Sequence, residues 1–232
     1  MPSNASTEWS LEKELCRITP ASSLRGALCD LGLTQHDDMF TIRTDNDWVR
    51  GGDETYIYRF WISHEDGRIS GYVIKACVAF VPGVSLDSVL REWISRRKLL
   101  AKNGVPTPKL VACGRGIVVE ELIPYKLKNI LVNSSSAPID ILRQLATFAG
   151  VLSKLGFEPV DAFHDLRSRG YDVVIVDFGQ DLGPPGISKM QDETLYYMLK
   201  ERLRKWGLIS SAELLDNLYD CYLVSRVDND LK

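Results

Sequence analysis

Two aspartates bracket one short apolar run in this 232-residue chain. Asp165 precedes the run and Asp177 ends it, with Val173, Val174, Ile175 and Val176 between them. Four consecutive β-branched residues read as a buried strand. Gly179 follows Asp177 closely, so the backbone can turn sharply and leave that carboxylate at an open edge. Carboxylate oxygens at a strand's exit suit a hard divalent cation, and a second aspartate within reach can act as a base. The plain structural reading is a strand ending in a turn that happens to be acidic. A third charged group interrupts an apolar run elsewhere: Lys75, within Val73-Ile74-Lys75-Ala76-Cys77-Val78. An ammonium buried there needs a partner, whereas on an edge strand it would point to water.

The elements that must position these groups can be read in order. Leu11, Leu15 and Ile18 recur at helical spacing and stop before Pro20, and Ser22 or Ser23 can cap a second short helix through Leu24, Leu28 and Leu31. Strands follow over Phe40–Arg43 and Tyr56–Ile62, then a hairpin turn at His64–Arg68 and a returning strand over Gly71–Val78. Ser85 can cap a helix that carries Leu86, Leu90, Trp93, Ile94 and Leu100 on one face and ends at Asn103-Gly104. Lys109–Cys113 and Gly116–Glu121 read as two more strands around a tight Gly114-Arg115-Gly116 turn. After Pro124 the pattern shifts from strands to helices. These are expected over 141–155, 194–206 and 212–223, with the two-aspartate stretch between the first and second of them. The expected division is a helical extension over 1–37, a strand-rich segment over 38–123 and a mainly helical segment over 124–232.

Composition narrows the function classes. Hydrophobic residues at 45% and charged residues at 25% fit an ordinary globular chain. A net charge of −3 leaves no electrostatic footprint for nucleic acid, and Arg96-Arg97-Lys98 reads as a solvated helix face. The five cysteines never form a Cys-x-x-Cys pair and the three histidines lie far apart, which argues against a disulfide framework or a zinc centre. No apolar run approaches the roughly 18 residues of a membrane span and no signal-type segment is visible. The expectation is a cytoplasmic chain with no membrane partner. Nothing in the sequence indicates an oligomeric state.

Taken together, the strand order with one inserted helix, the lysine on a strand, and the later aspartate pair resemble the protein-kinase-like superfamily. The resemblance is nearest the aminoglycoside phosphotransferase and choline kinase branch, in a minimal form. Val73-Ile74-Lys75 is similar to the Val-Ala-Ile-Lys strand of that fold. Glu92, followed by Asn103-Gly104-Val105-Pro106-Thr107-Pro108, resembles the phosphotransferases' helix C region. Val118-Val119-Glu120-Glu121 falls where the hinge lies, His164-Asp165-Leu166 resembles the catalytic loop, and Asp177-Phe178-Gly179 the metal-binding motif. The resemblance covers about residues 38–183. It implies an α+β, two-lobed fold: an antiparallel five-stranded N-lobe with one helix, and a reduced, mainly helical C-lobe.

The same resemblance implies a phosphotransferase using ATP and Mg²⁺, with a hydroxyl of a small molecule or protein as acceptor. Lys75, held by Glu92, would contact the α- and β-phosphates. Asp165 would orient and deprotonate the hydroxyl, with Asp161 in reserve, and Asp177 would hold Mg²⁺. Arg167 would grip phosphate bidentately, or else sit with Arg169 as a loop charge facing water. Gly51 and Gly52 would cover the phosphates with backbone amides, and Glu120, Glu121 and Leu122 would offer backbone groups to adenine.

The sequence departs from the family pattern at three points. Gly170 stands where the catalytic-loop Asn is expected, which bears on a second metal; Gln180 or Asp181 are the available substitutes. Asp177 follows Asp165 by only 12 positions, fewer than usual. His164 directly precedes Asp165, so it reads equally as a structural residue. These departures keep an alternative open, a catalytically impaired pseudokinase acting as a nucleotide-binding scaffold.

Overall fold

The computed structural model describes residues 10–45, 49–51, 55–77, 83–134, 138–157, 163, 166–176, 193–209 and 211–227. The chain divides into two compact units. One comprises Met1–Arg91 with Lys109–Leu122, the other Glu92–Pro108 with Ile123–Lys232.

The first unit begins with α1 (Leu11–Ile18) and α2 (Leu24–Asp30). Each starts where a serine side chain accepts an orphan amide: Ser10 Oγ from Lys13 at 3.2 Å and Ser23 Oγ from Gly26 at 3.3 Å. An antiparallel sheet follows, built from β1 (Phe40–Thr44), β2 (Val49–Gly51), β3 (Thr55–His64) and β4 (Ile69–Cys77), joined by β5 (Leu110–Gly114) and β6 (Ile117–Glu121). The order is β1-β3-β4-β6-β5, and β2 pairs β3 farther along the edge that β1 occupies. The sheet is thus five strands wide, with one edge position split in two. Sequence reading missed β2 because three residues carry no periodicity.

Alternation decides which face is core. Phe60 and Ile62 of β3, Ile74 of β4, and Ile117 and Val119 of β6 are buried with Leu11, Leu15, Ala27 and Leu28 of the two helices. The residues between them on each strand, including Val73, Lys75, Val118 and Glu120, fall on the opposite face.

Helix α3 (Leu86–Lys102) links β4 to β5. Ser85 Oγ accepts the Ser88 amide at 3.1 Å, as its position predicts. The helix closes with Val105 N–H donating to the Leu100 carbonyl at 3.0 Å, which sends Pro106 away from the axis. Arg96 and Arg97 are 7% and 6% exposed. The solvated basic face expected there is therefore not one, because consecutive charges on a packed helix cannot all face water.

The second unit holds α4 (Leu127–Asn133), α5 (Ile139–Lys154), α6 (Thr194–Lys205) and α7 (Ala212–Val227). It also holds a second sheet, of order β7-β8-β9: β7 (Tyr125–Lys126), β8 (Leu166–Arg169) and β9 (Asp172–Ile175). The portion beyond Pro124 is mainly helical as expected, and the strand expected within it is joined by two short strands that sequence reading missed. β7 is too short for a pattern, and β8 has one apolar residue in four, so β8 exists by pairing with the Val173-Val174-Ile175 run and β7 by pairing with β8. Leu142, Leu145, Phe148, Ala149 and Leu152 of α5 form the centre of this unit's core, with Leu166, Val173 and Ile175 of the hairpin and Tyr196, Leu199 and Tyr222 of α6 and α7. The fold is α+β with an antiparallel sheet and one inserted helix, followed by a mainly helical portion, as the sequence indicates.

Candidate active site

The β8–β9 hairpin carries the acidic stretch. Its register pairs Leu166 with Ile175, Arg167 with Val174, Ser168 with Val173 and Arg169 with Asp172. Gly170 and Tyr171 form the two-residue loop, and Gly170 has φ +62°. A glycine first in a two-residue hairpin loop supplies the positive φ that keeps the strands' twist matched. Ser168, fully buried, donates its hydroxyl to the Gly170 carbonyl at 2.5 Å. Gly170 is therefore the hairpin tip, about four residues or 13 Å along the strands from the Leu166–Ile175 end. No side chain at 170 can share an ion with groups at that end.

Asp165 adjoins Leu166 in sequence and Asp177 follows Ile175 by two positions. Both lie outside the described residues, as do Gly52, Asp161, His164, Gln180 and Asp181. What the structure describes is the frame between the two aspartates. β9 is an edge strand, and two groups outside the sheet occupy its open side. Gln144 of α5 accepts the Val173 amide through Oε1 at 3.0 Å and donates Nε2–H to the Tyr171 carbonyl at 3.0 Å. Ile175 N–H donates to the Pro106 carbonyl at 3.1 Å. A side-chain amide thus stands in for a neighbouring strand. Nothing in the sequence singles Gln144 out, since one glutamine on a helix carries no local signal.

Arg167 is on β8, opposite Lys126 on one side and Val174 on the other. It belongs to a strand and not to a loop. Its guanidinium donates to the Pro124 carbonyl at 3.4 Å, and it is half-buried on the face turned away from the core of this unit.

In the first unit, Lys75 lies opposite Val118, and Glu120 lies opposite Val73 on the same face. The two are diagonal neighbours on paired strands, and Lys75 Nζ is 2.7 Å from Glu120 Oε1. The pair is enclosed: the Lys75 side chain is 12% exposed and that of Glu120 3%. Glu92 is ion-paired with Arg96, one turn along its own helix, and its side chain is 51% exposed. Sequence reading left Glu92 either as a surface residue or as a partner of Lys75 and did not single out the ion pair with Glu120. The sequence held a signal for it, because alternation puts both charges on one face once these two strands pair.

Glu120 backbone atoms lie in the β6 ladder between β4 and β5. Glu121 N–H donates to the Lys109 carbonyl at 2.9 Å and Leu122 N–H to the Gly71 carbonyl at 2.9 Å. The Glu121 carboxylate accepts the Lys109 amide at 3.1 Å. The amides of residues 121 and 122 are thus already engaged in the sheet. Gly51 ends β2, opposite Thr55. Among the described residues, no group of three or more His, Cys, Asp or Glu side chains converges as a metal site would, and no helix is long and apolar enough to cross a membrane.

No protein-family model matches this sequence, and no curated protein matches it. Among solved structures the chain is similar to a Rio2 kinase–ADP/Mg²⁺–phosphoaspartate complex from Chaetomium thermophilum, at 16% identity and a TM-score of 0.42. That alignment covers 78% of this chain and 64% of the Rio2 chain, so this chain spans just under two thirds of its length. It is also similar to a putative fructosamine-3-kinase from Thermobifida fusca, at 14% identity and a TM-score of 0.44, covering 95% of this chain and 86% of that one. Both are kinases by name.

Proposed function

We propose that this chain is an ATP- and Mg²⁺-dependent phosphotransferase that moves the γ-phosphate of ATP to a hydroxyl. The observation that carries the reading is the β8–β9 register. With Leu166 opposite Ile175, the chain enters and leaves the hairpin at one end, on adjacent strands. Adjacent strands lie only about 5 Å apart, so Leu166 and Ile175, close in sequence to Asp165 and Asp177, lie side by side, which supports assigning both aspartates to one site. A base and a metal ligand must be neighbours in phosphoryl transfer, which relies on positioning and charge neutralisation.

In this reading Asp165 takes the proton of the acceptor hydroxyl. The hydroxyl oxygen then bonds to the γ-phosphorus, and the bond from that phosphorus to the β–γ bridging oxygen breaks, leaving ADP. Asp177 holds Mg²⁺, which neutralises phosphate charge when bound. Magnesium keeps several waters and substrate oxygens and needs only one or two carboxylates, so a single aspartate at the strand exit is a sufficient protein ligand. Lys75 lies on the α- and β-phosphates, and Arg167, held by the Pro124 carbonyl, reaches the γ-phosphate. Gly51 and Gly52 cover the phosphates, and adenine takes backbone groups near residues 120–122. With the Glu121 and Leu122 amides engaged, carbonyl groups are the natural partners there. The acceptor is a small molecule or a protein.

A second reading, a nucleotide-binding pseudokinase, draws on Gly170. The position expected to carry an Asn ligand for a second metal is the hairpin tip, remote from the aspartate end. One experiment separates the two. Purified wild type, Asp165→Ala and Asp177→Ala are tested for Mg-ATP thermal stabilisation and for transfer of labelled γ-phosphate. Transfer by wild type that is lost in both variants supports the enzyme. Stabilisation by ATP with no transfer in any of the three supports the pseudokinase, and no stabilisation at all rejects both.

A further inference from the structure

We infer that Glu120 is the positioning residue for Lys75. The inference rests on the phosphotransferase reading of Lys75, but its structural basis is independent of it. Two charges are enclosed together at 2.7 Å, on the face of the sheet opposite the core. Enclosed charges persist when paired, and removing Glu120 takes away from Lys75 an opposite charge held at 2.7 Å. Glu92 is in a different situation, half exposed and paired with Arg96.

The physical difference lies in what carries each carboxylate. Glu120 is on β6, hydrogen-bonded to β4 on one side and β5 on the other. Its offset from Lys75 is fixed by the β4–β6 register, with Ile74 opposite Val119 in the core between them. Apolar Val73 and Val118 flank the pair on the same face, so the ammonium is aimed by a weakly hydrated frame of paired strands. A Lys75 set by strand register is assembled as soon as the sheet is folded.

The test compares Glu120→Gln, Glu120→Asp and Glu92→Gln in the full chain. Mg-ATP affinity, the split between KM for ATP and kcat, and acylation of Lys75 by an amine-reactive ester are read, the last by mass spectrometry without nucleotide. Glu120→Gln is expected to weaken Mg-ATP by about tenfold or more, the scale seen when one partner of an enclosed charge pair is removed. The loss falls on KM more than on kcat, Glu120→Asp recovers part of it, and Glu92→Gln has the smaller effect. Lys75 acylates faster in Glu120→Gln than in wild type, and not faster in Glu92→Gln. A larger loss of affinity in Glu92→Gln than in Glu120→Gln overturns the inference. If wild type binds no nucleotide, the phosphotransferase reading fails. Acylation then decides alone, and equal rates in all three proteins overturn the positioning role. Should Glu120→Gln not fold, Glu120→Asp carries the same comparisons.

Discussion

The side-chain amide of Gln144 and the backbone of Val173 form a strand-like contact between a helix and a sheet edge. Oε1 accepts the Val173 N–H at 3.0 Å, and Nε2 of the same amide donates to the Tyr171 carbonyl at 3.0 Å. The two bonds engage the outward-facing Val173 amide of β9 and the carbonyl of the adjoining loop residue Tyr171, on the side where a further strand would pair. Gln144 thus adds hydrogen bonds to the core packing that holds the β8–β9 hairpin against α5.

Gln144→Leu removes the acceptor of an amide whose residue is fully buried. Leaving such a group unsatisfied costs about 1–3 kcal/mol. The expected result is a lower melting temperature and faster hydrogen exchange at the Val173 amide. Gln144→Glu keeps the acceptor and loses only the donor to Tyr171, so Val173 protection survives in that variant. Equal exchange at Val173 in wild type and Gln144→Leu would remove the tie.

Gly150, inside α5, sets how closely α7 packs. A Cβ there would meet the Tyr222 carbonyl oxygen inside van der Waals distance and the Ser225 Cβ at 2.8 Å. Helix propensity alone favours alanine over glycine by about 1 kcal/mol. Overpacking costs about 1–3 kcal/mol, and here the obstacle includes α7 backbone, which cannot rotate aside. Gly150→Ala is thus expected to destabilise despite its better propensity, as thermal or urea unfolding would show.

Alkaline stability reports on the tyrosines beside α6. Tyr219 donates to the Glu193 carboxylate, and that hydrogen bond, with burial and the nearby negative charge, pushes its phenol up to about 12. Tyr197 is raised as well, again chiefly by a hydrogen bond with Glu193. In the unfolded chain Tyr219 has its ordinary value of 10.0. Its contribution is thus fully present below pH 10 and is lost as pH rises through about 12, because the unfolded chain then binds fewer protons. Unfolding free energy measured across that window should fall less steeply in Tyr219→Phe than in wild type. The same slope in both would count against the Glu193 contact.

At the hairpin tip, Gly170 has φ +62°, and a Cβ there would stand in open space. The limit is conformation and not room. Asparagine adopts positive φ more readily than other non-glycine residues, and β-branched residues adopt it least. Gly170→Asn should fold with a loss of about 1 kcal/mol, and Gly170→Val should lose more. Matching melting temperatures for the two variants would show that the tip does not hold this geometry in solution.

Much of the fold was legible in the residues themselves. The 3.6-residue spacing of Leu11, Leu15 and Ile18, the Ser23 and Ser85 caps and the break at Asn103-Gly104 are local signals, and local hydrogen bonding realises them. The apolar strands of the first sheet and the buried run at Val173–Ile175 were readable for the same reason, since each carries its own period or its own β-branched run. The candidate lysine was legible too, as a charge within an apolar strand.

Tertiary structure decided what depends on partners distant in sequence. β7 and β8 have too few apolar residues to declare themselves; β8 exists through pairing with β9, and β7 through pairing with β8. Arg96 and Arg97, read as solvated, are buried because helix packing and not charge count sets exposure. The Lys75–Glu120 pair spans 45 positions of sequence and follows from strand register. Gln144 took its role from the approach of α5 to an open strand edge. Sequence determines a segment's own preferences, since those arise from neighbours along the chain. Which charge meets which, and which backbone edge is covered, arises only when separate segments share one core.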